Sequence, residues 1–264
     1  MPTITIDSQR CLFDGIKPRR RSLKRRQPTA PRNGLPKTAR TALTQLTSED
    51  EANRPLLYRS ALSSPLSNAG TAKPQGEYFF FDESFPLDEQ LPRSFRVEFR
   101  ETQKDNRPAV ILFHGSKQIG DVLTDNASVD DGYRYHDVFH FTHAAVLGWS
   151  PMSRTLFACK RRSIREIDEI EDGGRAKILE EAICAIVFAY ARERTFLAGA
   201  TAIDNDLLSM IQRLTETREA RHRSAHDWQN AILQGFSVWR QMRANRGGVL
   251  HANLNERRIS YSQL

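Results

Sequence analysis

His136, Asp137 and His140 fall within the five-residue segment HDVFH, and His143 follows three positions later. On a helix, positions i, i+4 and i+7 share one face, so the three imidazoles would stack along one side with Asp137 one position round. A single helical histidine is usually a satisfied structural residue. Three on one face beside an acid are harder to explain that way, because every buried ring needs its own partner. Metal or phosphate chemistry accounts for the row, and a structural hydrogen-bond network is the competing account. His143, at the end of the row, fits the structural account best.

Hard oxygen ligands follow. Glu169, Glu171, Asp172, Glu180 and Glu181 suit Mg²⁺ or Mn²⁺, which favour carboxylate and water. A solvated acidic face complementing a helix N-terminus would also explain Glu171 and Asp172. It explains Glu181 less well, since Ala182-Ile183-Cys184-Ala185 is apolar directly after it. The expected metal set is therefore His136, Asp137, His140, Glu169, Asp172, Glu180 and Glu181, with Asp137 and Glu181 as the catalytic acids. Arg134, Lys160, Arg161 and Arg175 lie close by in sequence and could neutralise phosphates, although surface solubility explains a Lys-Arg-Arg run equally well. Gly173-Gly174 offers free N–H groups to a phosphate, a weak signal alone. There is no GxxxxGK[ST] loop, no GxGxxG and no GxSxG elbow, so kinase, dinucleotide-binding and α/β-hydrolase readings lack support.

Helices must carry these residues. Asp130 or Asp131 could cap one over 132–147, which Gly148 would end. Ser150-Pro151 begins a short second helix, with Ser at N-cap and Pro at N1. A carboxylate-rich loop then leads to a helix over 174–195, whose Ile178, Ile183, Ile186, Val187 and Tyr190 follow the 3.6-residue period. Asp204 would cap a fourth helix to about 218, with Leu207, Leu208, Ile211 and Leu214 inward. Ser224 would cap a fifth to about 245, carrying Trp228, Ile232, Phe236 and Trp239, with Gly247-Gly248 as the stop. Before them, the runs 95–101, 109–113 and 118–122 read as a three-stranded antiparallel meander. The C-terminal segment reads as a closing hairpin joined to that sheet. The fold class is thus α+β, mainly α: a bundle of about five helices with a small antiparallel sheet.

The net charge of +7 is a property of one end. Residues 1–40 hold eleven Lys/Arg and two acids, while the other 224 residues hold 28 basic and 30 acidic side chains. Residues 1–75, rich in Pro, Arg, Ser and Thr, read as a disordered basic tail, and 76–264 as the folded domain. The run KPRRRSLKRR at 17–26 could meet nucleic acid or an acidic partner, but without interleaved aromatics it reads first as a solvated linker. A weak helix is expected at 51–61. No apolar run is long enough for a membrane span, the N-terminus lacks a signal-type apolar core, and three scattered cysteines suit a reducing cytoplasm.

The segments GDVLTDN (120–126), DDGYRYHDVFHFTHAAVLGWSP (130–151), KRRS (160–163), DEIEDGGRAKILEEAICAIVFAYA (168–191) and WQNAILQGFSVWR (228–240) resemble the C-terminal domain family associated with MazG-type nucleotide pyrophosphohydrolases. The resemblance spans about 78–259. It implies kinship with an all-helical, Mg²⁺-dependent superfamily that cleaves nucleoside triphosphates to monophosphate and pyrophosphate through an EExxE helix and a later ExxD helix. Here HDVFH has the EExxE spacing with His136, Asp137 and His140 at its three positions. ExxD is met either by Glu169 with Asp172 or by Glu181 with Cys184 in place of Asp. Imidazole for carboxylate moves a site toward Mn²⁺, Zn²⁺ or Fe²⁺. The expectation is a cytoplasmic, metal-dependent hydrolase of nucleotide phosphoanhydride bonds, able to form homo-oligomers. The alternative is a non-catalytic regulatory or partner-binding module that keeps the fold. An HD-type phosphohydrolase, suggested by the literal His136-Asp137 pair, ranks last because a clear upstream His and downstream Asp are missing.

Overall fold

The computed structural model describes residues 79–264. The basic tail, the run at 17–26 and the weak helix at 51–61 lie outside the described residues.

Three strands open the domain: β1 (Ser94–Lys104), β2 (Arg107–His114) and β3 (Lys117–Thr124). Asp105 and Asn106 both have positive φ, 51° and 60°, which is the two-residue hairpin turn that Asn and Asp tolerate. β4 (Gly247–Asn253) and β5 (Arg258–Ser262) form the C-terminal hairpin. β4 pairs antiparallel with β1, Phe95 opposite Ala252 and Val97 opposite Leu250, giving the order β3-β2-β1-β4-β5. The meander and hairpin expected from the sequence are thus one five-stranded sheet. Gly248, the second residue of β4, has φ +147°, and a Cβ there would lie 2.2 Å from the Tyr261 ring, so only glycine lets the hairpin close. On β1 the buried Phe95, Val97 and Phe99 alternate with outward Arg96 and Arg100.

The helices cover the buried side. They are α1 (Asp137–Thr142), α2 (Pro151–Leu156), α3 (Arg165–Ile170), α4 (Gly174–Arg192), α5 (Asn205–Leu214) and α6 (Ala225–Ala244). Phe141 of α1 packs on Phe95 and Phe99 of the sheet, at 5.8 and 6.1 Å between ring centres. Phe139 packs on Phe236 of α6 at 4.7 Å. α1 is therefore wedged between sheet and helix layer, and all six of its residues are buried.

Several local expectations change. The span 132–147 is not one helix: a 3₁₀ turn over Tyr133–Tyr135 leads into α1, and His143–Leu147 continues as a π-helical turn ended by left-handed Gly148. Asp131 accepts a bond from the Tyr133 N–H at 3.1 Å, although Gly132 holds the cap position. The carboxylate-rich loop contains α3. α5 ends at Leu214, which is exposed, and Asp204 stands at its N-cap position without a side-chain cap bond. Ile178 is 72 % exposed and Ile186 also faces solvent, because α4 turns Glu180, Ile183, Cys184, Val187 and Phe188 inward instead. The caps at Ser150 and Ser224 form as expected, the latter as a reciprocal capping box with Asp227.

Candidate metal centre

α1 and the first half of α4 face one another, and four side chains of ligand type meet between them. His136, at the N-cap of α1, places Nε2 3.3 Å from Asp137 Oδ1 and 3.9 Å from Glu181 Oε2. His140, one turn on, places Nε2 3.3 Å from Glu181 Oε1 and 3.9 Å from Asp137 Oδ1. One ligand atom from each of His136, Asp137 and His140 lies within 4.8 Å of the others. His140 is fully buried, and its Nε2 makes no well-aligned hydrogen bond although Glu181 Oε1 stands 3.3 Å away. An orphaned imidazole nitrogen aimed between two carboxylates is the feature a bound cation would satisfy. The donor set fits a divalent metal on that ground.

The opposite ring nitrogens are held from behind. His136 Nδ1 is 2.9 Å from the Tyr133 carbonyl, so it must be the donor, and the ring stacks on Tyr133 at 4.6 Å and 4° between planes. His140 Nδ1 lies 3.1 Å from Glu180 Oε1. Glu180 is itself fully buried and gathers three further donors. These are His143 Nδ1 at 3.1 Å, the Ser150 hydroxyl at 2.8 Å and the Met152 N–H at 2.9 Å. Burial opposes its charge, but His140 and His143 outweigh burial and hold its pKa at about 2. Burial likewise disfavours a charged His140, and here Cys184 and Glu180 prevail, so its pKa stands well above the ordinary imidazole value. Burial pushes the Cys184 thiol up to about 11; its sulfur lies 3.8 Å from His140 Nδ1.

The structure brings together five expected residues: His136, Asp137, His140, Glu180 and Glu181. Of the two ExxD alternatives, the pair Glu181 and Cys184 lies beside His140. Other expected residues belong elsewhere. Asp172 is buried against Arg161, accepting from its backbone N–H at 2.8 Å and its guanidinium at 2.7 Å, with Arg154 at 3.6 Å. Glu169 is exposed on α3. Gly173 sits where a Cβ would lie 2.0 Å from the Glu169 carbonyl, so the glycine serves the tight α3–α4 join. Arg134 is tied to Asp125 at 2.7 Å, Asp130 at 2.8 Å and Glu101 at 3.2 Å. Lys160 pairs with Asp168 at 2.6 Å, and Arg175 is exposed in the first turn of α4. Sequence reasoning missed Tyr133 and Ser150 as supports. Tyr133 lies three residues before His136, one helical turn away. Nothing in the sequence links Ser150 to Glu180.

A family model described as the MazG C-terminal domain matches residues 76–264. No curated protein and no solved structure matches the chain.

Proposed function

The chain belongs to the MazG C-terminal domain family, and on that footing we propose that it is a divalent-cation-dependent nucleotide pyrophosphohydrolase, cleaving nucleoside triphosphates to monophosphate and pyrophosphate. One observation carries the reading: His136, Asp137, His140 and Glu181 converge with the buried His140 Nε2 lacking a well-aligned hydrogen bond. A divalent cation held there would lower the pKa of a water and offset charge developing on phosphate. Asp137 and Glu181 supply the negative charge that retains a cation, and His136 and His140 add two nitrogens. Glu180 and the Tyr133 carbonyl orient those two rings. Glu181, with 38 % of its side chain exposed, is the member solvent reaches, so substrate would approach from its side.

A second reading, a partner-binding module that keeps the fold without catalysis, is favoured by a specific observation. Three of the four cations expected to meet phosphates, Arg134, Arg161 and Lys160, are engaged by carboxylates, and only Arg175 is left exposed. The test is pyrophosphate release from a panel of nucleoside triphosphates with Mg²⁺, Mn²⁺ and other divalent cations. Asp137→Asn and Glu181→Gln should each lower the rate by ~100-fold or more, the scale of one preorganised electrostatic contact, with little change in the circular-dichroism melt. Full rates in both variants would overturn the site. A folded parent protein inactive with every cation would favour the binding module.

A further inference from the structure

Resting on the reading of this site as a cation site, we infer that it selects a transition-metal dication of the Mn²⁺, Fe²⁺, Co²⁺ or Zn²⁺ class and discriminates against Mg²⁺. The argument is the donor set and what stands behind it. Mg²⁺ demands a near-ideal shell of oxygens, keeps several waters and gains little from imidazole, whereas first-row transition ions accept nitrogen readily. Of the four side chains that converge, two are imidazoles.

Neither ring can turn away to leave an all-oxygen site. His136 is fixed by its Nδ1 bond to the Tyr133 carbonyl at 2.9 Å and by the stacked Tyr133 ring. His140 is fixed by Glu180 at 3.1 Å, and Glu180 by Ser150 and Met152. Both rings thereby present Nε2 toward Asp137 and Glu181. A carbonyl or carboxylate on the far nitrogen is the arrangement that sets the tautomer of metal-binding histidines and raises their basicity. Glu180 is on this account a positioning residue, one step removed from the ion. With two nitrogens and two carboxylates forced into one space, the site keeps the charge to hold a dication while spending two of its positions on imidazoles, from which Mg²⁺ gains little.

The experiment reads binding rather than turnover. The metal-free full-length protein is titrated with Co²⁺, whose visible absorption reports nitrogen and oxygen ligation, and then challenged with other ions. We expect one Co²⁺ per chain, with bands abolished by Zn²⁺, weakened by an excess of Mn²⁺ and retained in a large excess of Mg²⁺. His140→Gln and His136→Gln, each checked by circular dichroism for folding, should abolish the bands. Glu180→Gln should weaken Co²⁺ binding ~10–100-fold, the usual effect of removing an outer support. Should Glu180→Gln fail to fold, the two histidine variants still decide the matter. Displacement of Co²⁺ by Mg²⁺ at comparable concentration would overturn the selectivity and leave the cation site standing. Bands unchanged in both histidine variants would overturn the assignment to these rings. A folded parent that binds no Co²⁺ and no Mg²⁺ would overturn the cation site itself, and the selectivity with it.

Discussion

Glu180 and Glu181 are neighbours in sequence and opposites in role. A step of one residue turns a helix by about 100°, which sends Glu180 into the core as an acceptor for four donors and leaves Glu181 at the rim of the proposed cation site. Removing a buried charge strands its partners, whereas a half-exposed charge is partly replaced by water. Glu180→Gln should therefore cost about 3–5 kcal/mol in denaturant unfolding, and Glu181→Gln within about 1 kcal/mol. Equal costs would contradict the difference in burial. The sign in acid follows from the same residue. Glu180 is held at about 2 in the folded chain, against about 4.3 for a free glutamate. Its contribution is present above the free value and is lost as pH falls toward 2. Melts recorded across that interval should fall for the parent protein and flatten in Glu180→Gln.

At the scale of elements, two serine caps show how similar motifs acquire different weight. Ser224 accepts from the Asp227 N–H at 3.2 Å in an exposed capping box at the start of α6. Ser150 accepts from the Ser153 N–H at 2.9 Å and also donates to Glu180 at 2.8 Å, with the residue buried. Ser224→Ala should cost about 1 kcal/mol, an ordinary cap. Ser150→Ala should cost more, about 2 kcal/mol, because it removes a cap and also a donor from a buried carboxylate. Unfolding curves that rank the two in reverse would mean that α2 contributes little to the α4 face. The π-helical turn after α1 belongs to this scale as well. It brings His143 to Glu180 beside His140, and such widened turns recur at functional sites.

The whole domain is tied by a buried charge chain distinct from the proposed cation site. Asp82 meets Arg154 at 2.8 Å, Arg154 approaches Asp172, Asp172 meets Arg161, and Arg161 reaches Glu219 at 2.9 Å. The chain links the segment before β1 to α2, to the segments on either side of α3 and to the turn before α6. Burial pushes Glu219 up to about 7, against the pull of Arg161 and with the nearby Glu171 adding to the rise. A raised carboxylate binds its proton more tightly folded than unfolded, so stability is greatest below the unfolded value and declines as pH rises from about 4.3 toward 7. Glu219→Gln should remove that decline from a series of melts. Among the described residues, no helix is long and apolar enough to cross a membrane. A chain shortened to residues 76–264, the span the family model matches, should keep a single cooperative melt. Loss of cooperativity would show that the preceding residues contribute to the core.

Local signals settled much of this protein from its sequence. The HDVFH spacing placed His136 and His140 on one helical face, Ser150-Pro151 and Ser224 marked two helix starts, and short apolar runs marked the strands. Each depends on a few consecutive residues and on backbone geometry, which tertiary contacts left in place. Tertiary structure alone decided partnership. Asp172 went to Arg161, Arg134 went to three acids, and Glu181 rather than Glu169 met the histidines, because a carboxylate's partner depends on which helix lies opposite. Ile178 and Ile186 share the helical period of the buried residues, yet they face solvent. Periodicity describes the faces a helix possesses, and only its neighbours determine which of them is covered.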